Sequence, residues 1–117
     1  MNPNREEVIE TTVFMVETYI VKPEKQGEFM AMIKKWIEGT KKNKEKYKEL
    51  KSYKLFAHMF GGSRLGYSEM WEFTNMADLE KLLNRLMQDK EFQKILQDFV
   101  SQIVPDTWSI SIWNSVT

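Results

Sequence analysis

The chain has 117 residues, 42% of them apolar and 13% aromatic, with 17 basic side chains set against 17 acidic ones, one His and no Cys. That length makes one domain, able to bury roughly two thirds of the surface its unfolded form exposes, and the balanced charge removes the broad positive field that would draw nucleic acid or an anionic membrane. Without Cys there are no disulfides, thiolate nucleophiles or Cys-ligated metal centres, and one His leaves any metal site to carboxylates, so no metal is expected.

Residues 1–10 read as a flexible leader to a single domain over 11–117. The opening stretch MNPNREEVIETT is polar and lacks the apolar run of a signal peptide. No segment approaches the ~20 apolar residues that a membrane span needs, so a cytoplasmic protein is expected.

The run TVFMVETYIV alternates two apolar faces, with Phe14, Val16, Thr18 and Ile20 on one and Val13, Met15, Glu17 and Tyr19 on the other. A strand apolar on both faces belongs at the centre of a sheet. Pro23 follows and suits the first turn of a helix, with Glu24 near the positive end of its dipole. Phe29, Ile33, Trp36, Ile37 and Thr40 then recur at spacings of three and four, a core-facing helical stripe weakened by Gly39. The lysine-dense run over 41–51 reads as a solvated helical face with i,i+4 pairs to Glu45 and Glu49, in preference to a phosphate-binding patch.

Two strand-like runs, SYKLFAHMF and LGYSEMWEF, flank a glycine turn at 61–64 and predict a hairpin. In the register of a two- or four-residue loop, His58 stands opposite Tyr67, Phe56 opposite Glu69 and Lys54 opposite Trp71, all on one face. Asn75 is the expected N-cap of a second helical segment with Met76, Leu79, Leu82, Leu83 and Leu86 inward. Asp89 restarts it with Phe92, Ile95, Leu96, Phe99, Val100 and Ile103, and Pro105 ends it. The closing TWSISIW predicts a half-buried strand.

The order is β-α-β-β-α-β, an α+β ferredoxin-like fold with one antiparallel four-stranded sheet and two helical segments on one face. The first and third strands take the centre. The bare sheet face needs a cover, and sheet-on-sheet packing between two copies supplies it, so a homodimer is expected.

The segments YIVKPEKQGEF, SEMWEFTNMADLEKL and DKEFQKIL together resemble the antibiotic biosynthesis monooxygenase family of the dimeric α+β barrel superfamily, over nearly the whole chain from Val13 to Trp113. The resemblance implies a homodimer with a pocket in each subunit between sheet and helices. It also implies oxidation of an aromatic or polycyclic substrate by dioxygen, often without a cofactor, and it places Trp71 and Glu69 at the family's strand-three tryptophan and acid. Heme-degrading relatives use an Asn on the first strand and a His on the second helix; here Thr18 stands at the former, and no His lies between residues 75 and 104.

Within that frame His58 and Glu69 are the candidate catalytic residues, and Thr18, Tyr19, Phe56, Tyr67 and Trp71 the candidate substrate-binding ones. His58 is the residue type suited to a base or proton shuttle; its plainer reading is a strand residue bonded to Tyr67. Glu69 among aromatics is either an acid–base group or the partner of Lys54. If Glu17 shares its face, a shared proton or a small cation becomes available to the two carboxyls. Trp71 is a core residue or a stacking platform, and methionines such as Met30, Met32, Met76 and Met87 are gap fillers or an adaptable pocket wall. The alternative to an enzyme is a non-catalytic protein that binds a small apolar or aromatic ligand or serves assembly, with the same dimeric barrel.

Overall fold

The computed structural model describes residues 12–62 and 64–117. The expected leader over 1–10 lies outside them, as does Ser63 of the expected hairpin loop. The elements are β1 (Val13–Ile20), α1 (Gln26–Lys42), β2 (Ser52–Ala57), β3 (Gly66–Phe73), α2 (Met76–Met87), α3 (Lys90–Gln102) and β4 (Ser109–Asn114). The sheet runs β2-β3-β1-β4 with every neighbouring pair antiparallel, so β1 and β3 hold the centre as their two-sided apolar sequences require.

Local chemistry sets the helix ends. Pro23 opens a 3₁₀ turn, Pro23–Lys25, that feeds α1. Asn75 caps α2, its Oδ1 accepting from Asp78 N at 2.8 Å, and Asp89 caps α3, its Oδ2 accepting from Phe92 N at 2.9 Å. The second helical segment is therefore broken at Gln88 and Asp89, where the sequence predicts a restart. All three helices lie on one sheet face, over Val13, Met15, Glu17 and Tyr19 of β1 and Trp71 and Phe73 of β3. The core falls into two parts: Trp36, Trp71, Phe73, Leu79, Leu82 and Leu86 toward one end, and Tyr19, Phe29, Ile33 and Phe99 toward the other.

Three expectations are corrected. The run over 41–51 does not continue as a helix: α1 ends at Lys42 and turns follow. Tyr47 and Glu49 in it are buried, Arg85 clasps Glu49 through two nitrogens at 2.6 and 2.7 Å, and Lys46 reaches Asp89 at 2.7 Å. Lys41, Lys42, Lys44, Lys48 and Lys51 are solvated as expected, while the docking of Tyr47 and Glu49 on the helices sets the shape of the run. Secondly, β4 is exposed along its whole length rather than half-buried, because as an edge strand it has β1 alone as a neighbour.

Thirdly, the hairpin register differs by one residue. Tyr53 stands opposite Trp71, Leu55 opposite Glu69, Phe56 opposite Ser68 and Ala57 opposite Tyr67. Pairing ends early at Ala57, and the chain returns through Gly61 at φ 71° and Leu65 at φ 60°. A single-residue slip turns every β2 side chain to the other face. His58, Phe56 and Lys54 consequently lie on the helix-free side, away from Tyr67, Glu69 and Trp71.

Candidate functional site

Between the sheet and the helices lies a cavity of about 160 Å³, open on one side. Its floor is Met15 and Glu17 of β1 with Glu69 and Trp71 of β3, and its roof is Met32, Ile33 and Trp36 of α1, Leu83 and Met87 of α2, and Phe92, Leu96 and Phe99 of α3. Trp108 and Ile110 close the β4 side. No Lys, Arg or His is among the lining residues, and Glu17 and Glu69 are their only ionisable members.

Glu17 and Glu69 are directly opposed across the central strand pair and point to the same side. Both are buried, at 7% and 6% exposure. Glu69 accepts from the Tyr19 hydroxyl at 2.6 Å through one oxygen and from the Tyr53 hydroxyl at 2.5 Å through the other. Glu17 accepts from the Trp108 indole N–H at 3.0 Å. Burial, and then the charge of Glu69, push the Glu17 carboxyl up to about 8, against the pull of Trp108 and Trp71. Burial also raises Glu69, with the Tyr19, Tyr53 and Trp71 donors opposing it. Two such groups titrate as a pair, and near neutrality the pair holds a proton. The tyrosine hydroxyls, raised by burial and by Glu69, stay protonated donors. Among the described residues no three His, Cys, Asp or Glu side chains gather as metal ligands.

The candidates named from sequence thus divide. Glu69 and Trp71 line the cavity. Tyr19, fully buried, holds Glu69 from behind. Tyr67 shares that side but donates to Gln26 Oε1 at 2.8 Å, away from the cavity lining. His58 lies on the helix-free side, where its Nε2 meets Ser68 Oγ at 2.9 Å and Ser68 in turn meets Thr18 Oγ1 at 3.0 Å. Phe56, also on that side, is 46% exposed. The expected His58–Tyr67 and Glu69–Lys54 pairings are replaced by His58–Ser68 and by the two tyrosines on Glu69.

Sequence reasoning missed Tyr53, Trp36 and Trp108. Tyr53 followed from the wrong register: both faces of β2 carry aromatic or aliphatic residues, so its alternation chooses a face only weakly. Trp36 read as core stripe, which it also is, its ring 5.1 Å from Trp71 and 5.3 Å from Tyr47. The indole N–H of Trp36 is buried without a hydrogen-bond partner, a cost of about 1–3 kcal/mol, while that of Trp71 lies beside the two carboxyls without a full hydrogen bond to either.

No protein-family model matches the chain, and no curated protein does. Solved structures do. A Caulobacter crescentus protein provisionally assigned as an antibiotic biosynthesis monooxygenase is 15% identical, over 99% of this chain and 100% of that one, with a TM-score of 0.70. A NIPSNAP family protein of unknown function from Agrobacterium tumefaciens is 20% identical over 89% and 87%, with a TM-score of 0.66. A dimeric protein of unknown function and ferredoxin-like fold from Bacteroides fragilis is 10% identical over 89% and 96%, with a TM-score of 0.59. At these identities the likeness establishes the ferredoxin-like α+β fold, the one that antibiotic biosynthesis monooxygenases and NIPSNAP proteins share.

Proposed function

We propose that the protein is a cofactor-independent, monooxygenase-like enzyme that holds a small aromatic substrate in the cavity and removes a proton from it with the Glu17–Glu69 pair. The observation that carries this reading is a pair of buried, facing carboxyls on the floor of an otherwise apolar cavity, an arrangement costly to stability unless it serves a ligand. A cavity of about 150 Å³ takes a benzene ring, so the volume here favours a single-ring phenol over a polycycle.

The phenol hydroxyl gives its proton to the carboxylate, which leaves the pair neutral beside the new phenolate. The phenolate ring reduces dioxygen and forms a C–O bond at its para carbon; the pair returns the proton, giving a hydroperoxide. Loss of water with the para C–H proton leaves a quinone, so one oxygen atom of dioxygen enters the product and the other leaves as water. Glu69 is the base in this reading, Glu17 shares the proton, and Trp71 packs on the ring.

The test is turnover of phenol itself under isotopically heavy dioxygen. One heavy atom is expected in the quinone, and Glu69→Gln is expected to lower the rate about 10²–10⁴-fold. Phenol bound without product would overturn the catalytic reading in favour of the non-catalytic ligand-binding alternative, which the scarcity of polar groups in the cavity supports.

The same fold supports a homodimer. The helix-free sheet face presents Phe14, Met70, Phe56 and Trp113, the last 51% exposed, and one neighbour of this fold is dimeric. Native mass spectrometry is expected to give a dimer that Trp113→Glu converts to monomer; a wild-type monomer would refute it. No helix among the described residues is long and apolar enough to cross a membrane.

A further inference from the structure

Trp108 belongs to neither the helical roof nor a strand, yet it touches the cavity in two ways. It is 37% exposed, so it stands at the rim, and its indole packs edge-on against Phe99 with ring centroids 5.2 Å apart. Its N–H reaches down to Glu17 Oε1 at 3.0 Å. A residue at a mouth is usually mobile, but the backbone here is fixed. Thr107 Oγ1 donates to Val104 O at 2.7 Å and accepts from Ile20 N at 3.1 Å, while Asp106 takes a left-handed turn at φ 68°. The indole is therefore presented from an anchored corner between α3 and β4, with one edge tied to the carboxyl pair.

We infer that Trp108 is the specificity-determining and positioning residue of the cavity: its ring closes the β4 end and limits the ligand to one aromatic ring, and its N–H fixes the Glu17 carboxyl toward Glu69. This rests on the proposed binding of a ring in the cavity, and it separates two roles that two substitutions can divide. Trp108→Ala opens the end wall and removes the donor. Trp108→Phe keeps a ring on Phe99 and removes only the donor. The groups around Glu17 are Glu69 and the Trp71 indole from β3, with Tyr19 of β1 and Tyr53 of β2 behind Glu69, and apolar side chains from the helices. Loss of the Trp108 donor thus acts on Glu17 with no basic lining residue to compensate.

The experiment measures phenol and 1-naphthol binding by calorimetry, and the Glu17 carboxyl titration by carbon NMR, in the wild-type chain and both variants. The wild type is expected to bind phenol and to bind naphthol at least about tenfold more weakly. Trp108→Ala is expected to reverse that preference. Trp108→Phe should keep the size preference while moving the Glu17 midpoint upward from about 8, because a donor to the charged form is gone. Phenol binding with the same naphthol discrimination in Trp108→Ala overturns the size role, and an unmoved Glu17 midpoint in Trp108→Phe overturns the positioning role. Absence of phenol binding in all three proteins overturns both this inference and the cavity reading beneath it. Binding that follows the expected pattern without any quinone formed leaves Trp108's role standing and removes only the oxidation.

Discussion

Raising the pH from about 5 to about 9 is expected to lower the melting temperature of the protein, and Glu17→Gln to remove most of that fall. The sign follows from the pair on the cavity floor. The Glu17 carboxyl is at about 8 in the folded chain against an ordinary 4.5, so between those values the folded state holds a proton that the unfolded state has released. Stability then falls as pH rises through this window and levels off above it. A displacement of this size corresponds to up to about 4 kcal/mol, shared with Glu69, whose own raised carboxyl adds in the same direction. A Gln keeps the shape and the acceptor for Trp108 and carries no charge to strand. Thermal unfolding of the two proteins across the window decides it: parallel curves would mean that the pair is not protonated in the folded state.

Phe29→Ala should be among the most damaging single substitutions, at about 3–5 kcal/mol, or a fall in melting temperature of roughly 10–20 °C for a chain this long. Phe29 is fully buried and packs edge-on against Tyr19 at 5.7 Å and tilted against Tyr67 at 4.9 Å. Its loss creates a cavity beside the tyrosine that holds Glu69, so the damage extends from the core to the site. The wild-type and variant chains compared by thermal denaturation and by Glu69 carbon NMR would show both effects. A fall of only a few degrees would mean that the neighbouring helix collapses into the space.

How far the sequence could be read depended on whether one face of an element was distinctive. The alternation of β1 was correct because Glu17 and Thr18 mark its two faces, and Asn75 and Asp89 announced their helices through side-chain oxygens that caps require. The hairpin failed on parity. Glycine at 61 and 62 locates a turn but does not count the residues in it, and although Tyr53, Leu55 and Ala57 make the more apolar face of β2, Phe56 beside Ser52 and Lys54 blurs that signal over so short a strand. That single residue moved His58 and Phe56 out of the site and kept Tyr53 out of view. The Glu17–Glu69 opposition was accessible only as a conditional, since it needs the pairing of two strands separated by some fifty residues. In the sequence Trp108 counts only as the first apolar position of the closing strand, in phase with Ile110 and Ile112, and that alternation cannot show its N–H reaching Glu17 on another strand.

The interruption of the second helical segment at Gln88 and Asp89 also gives the cavity a jointed lid. Met87 and Phe92, on either side of the break, both line the cavity, while the joint itself is tethered from outside by Lys46 on Asp89 and Arg85 on Glu49. The floor is cross-linked by strand pairing and by hydroxyls on Glu69; the roof is anchored through the buried Leu79, Leu82, Leu86 and Phe99, and its joint is tied by the Lys46–Asp89 pair near solvent, which weakens with salt, and by the Arg85 clasp on buried Glu49. The cavity floor is thus one continuous hydrogen-bonded surface, whereas its roof is assembled from separate helices whose interruption is flanked by two of the cavity's own wall residues.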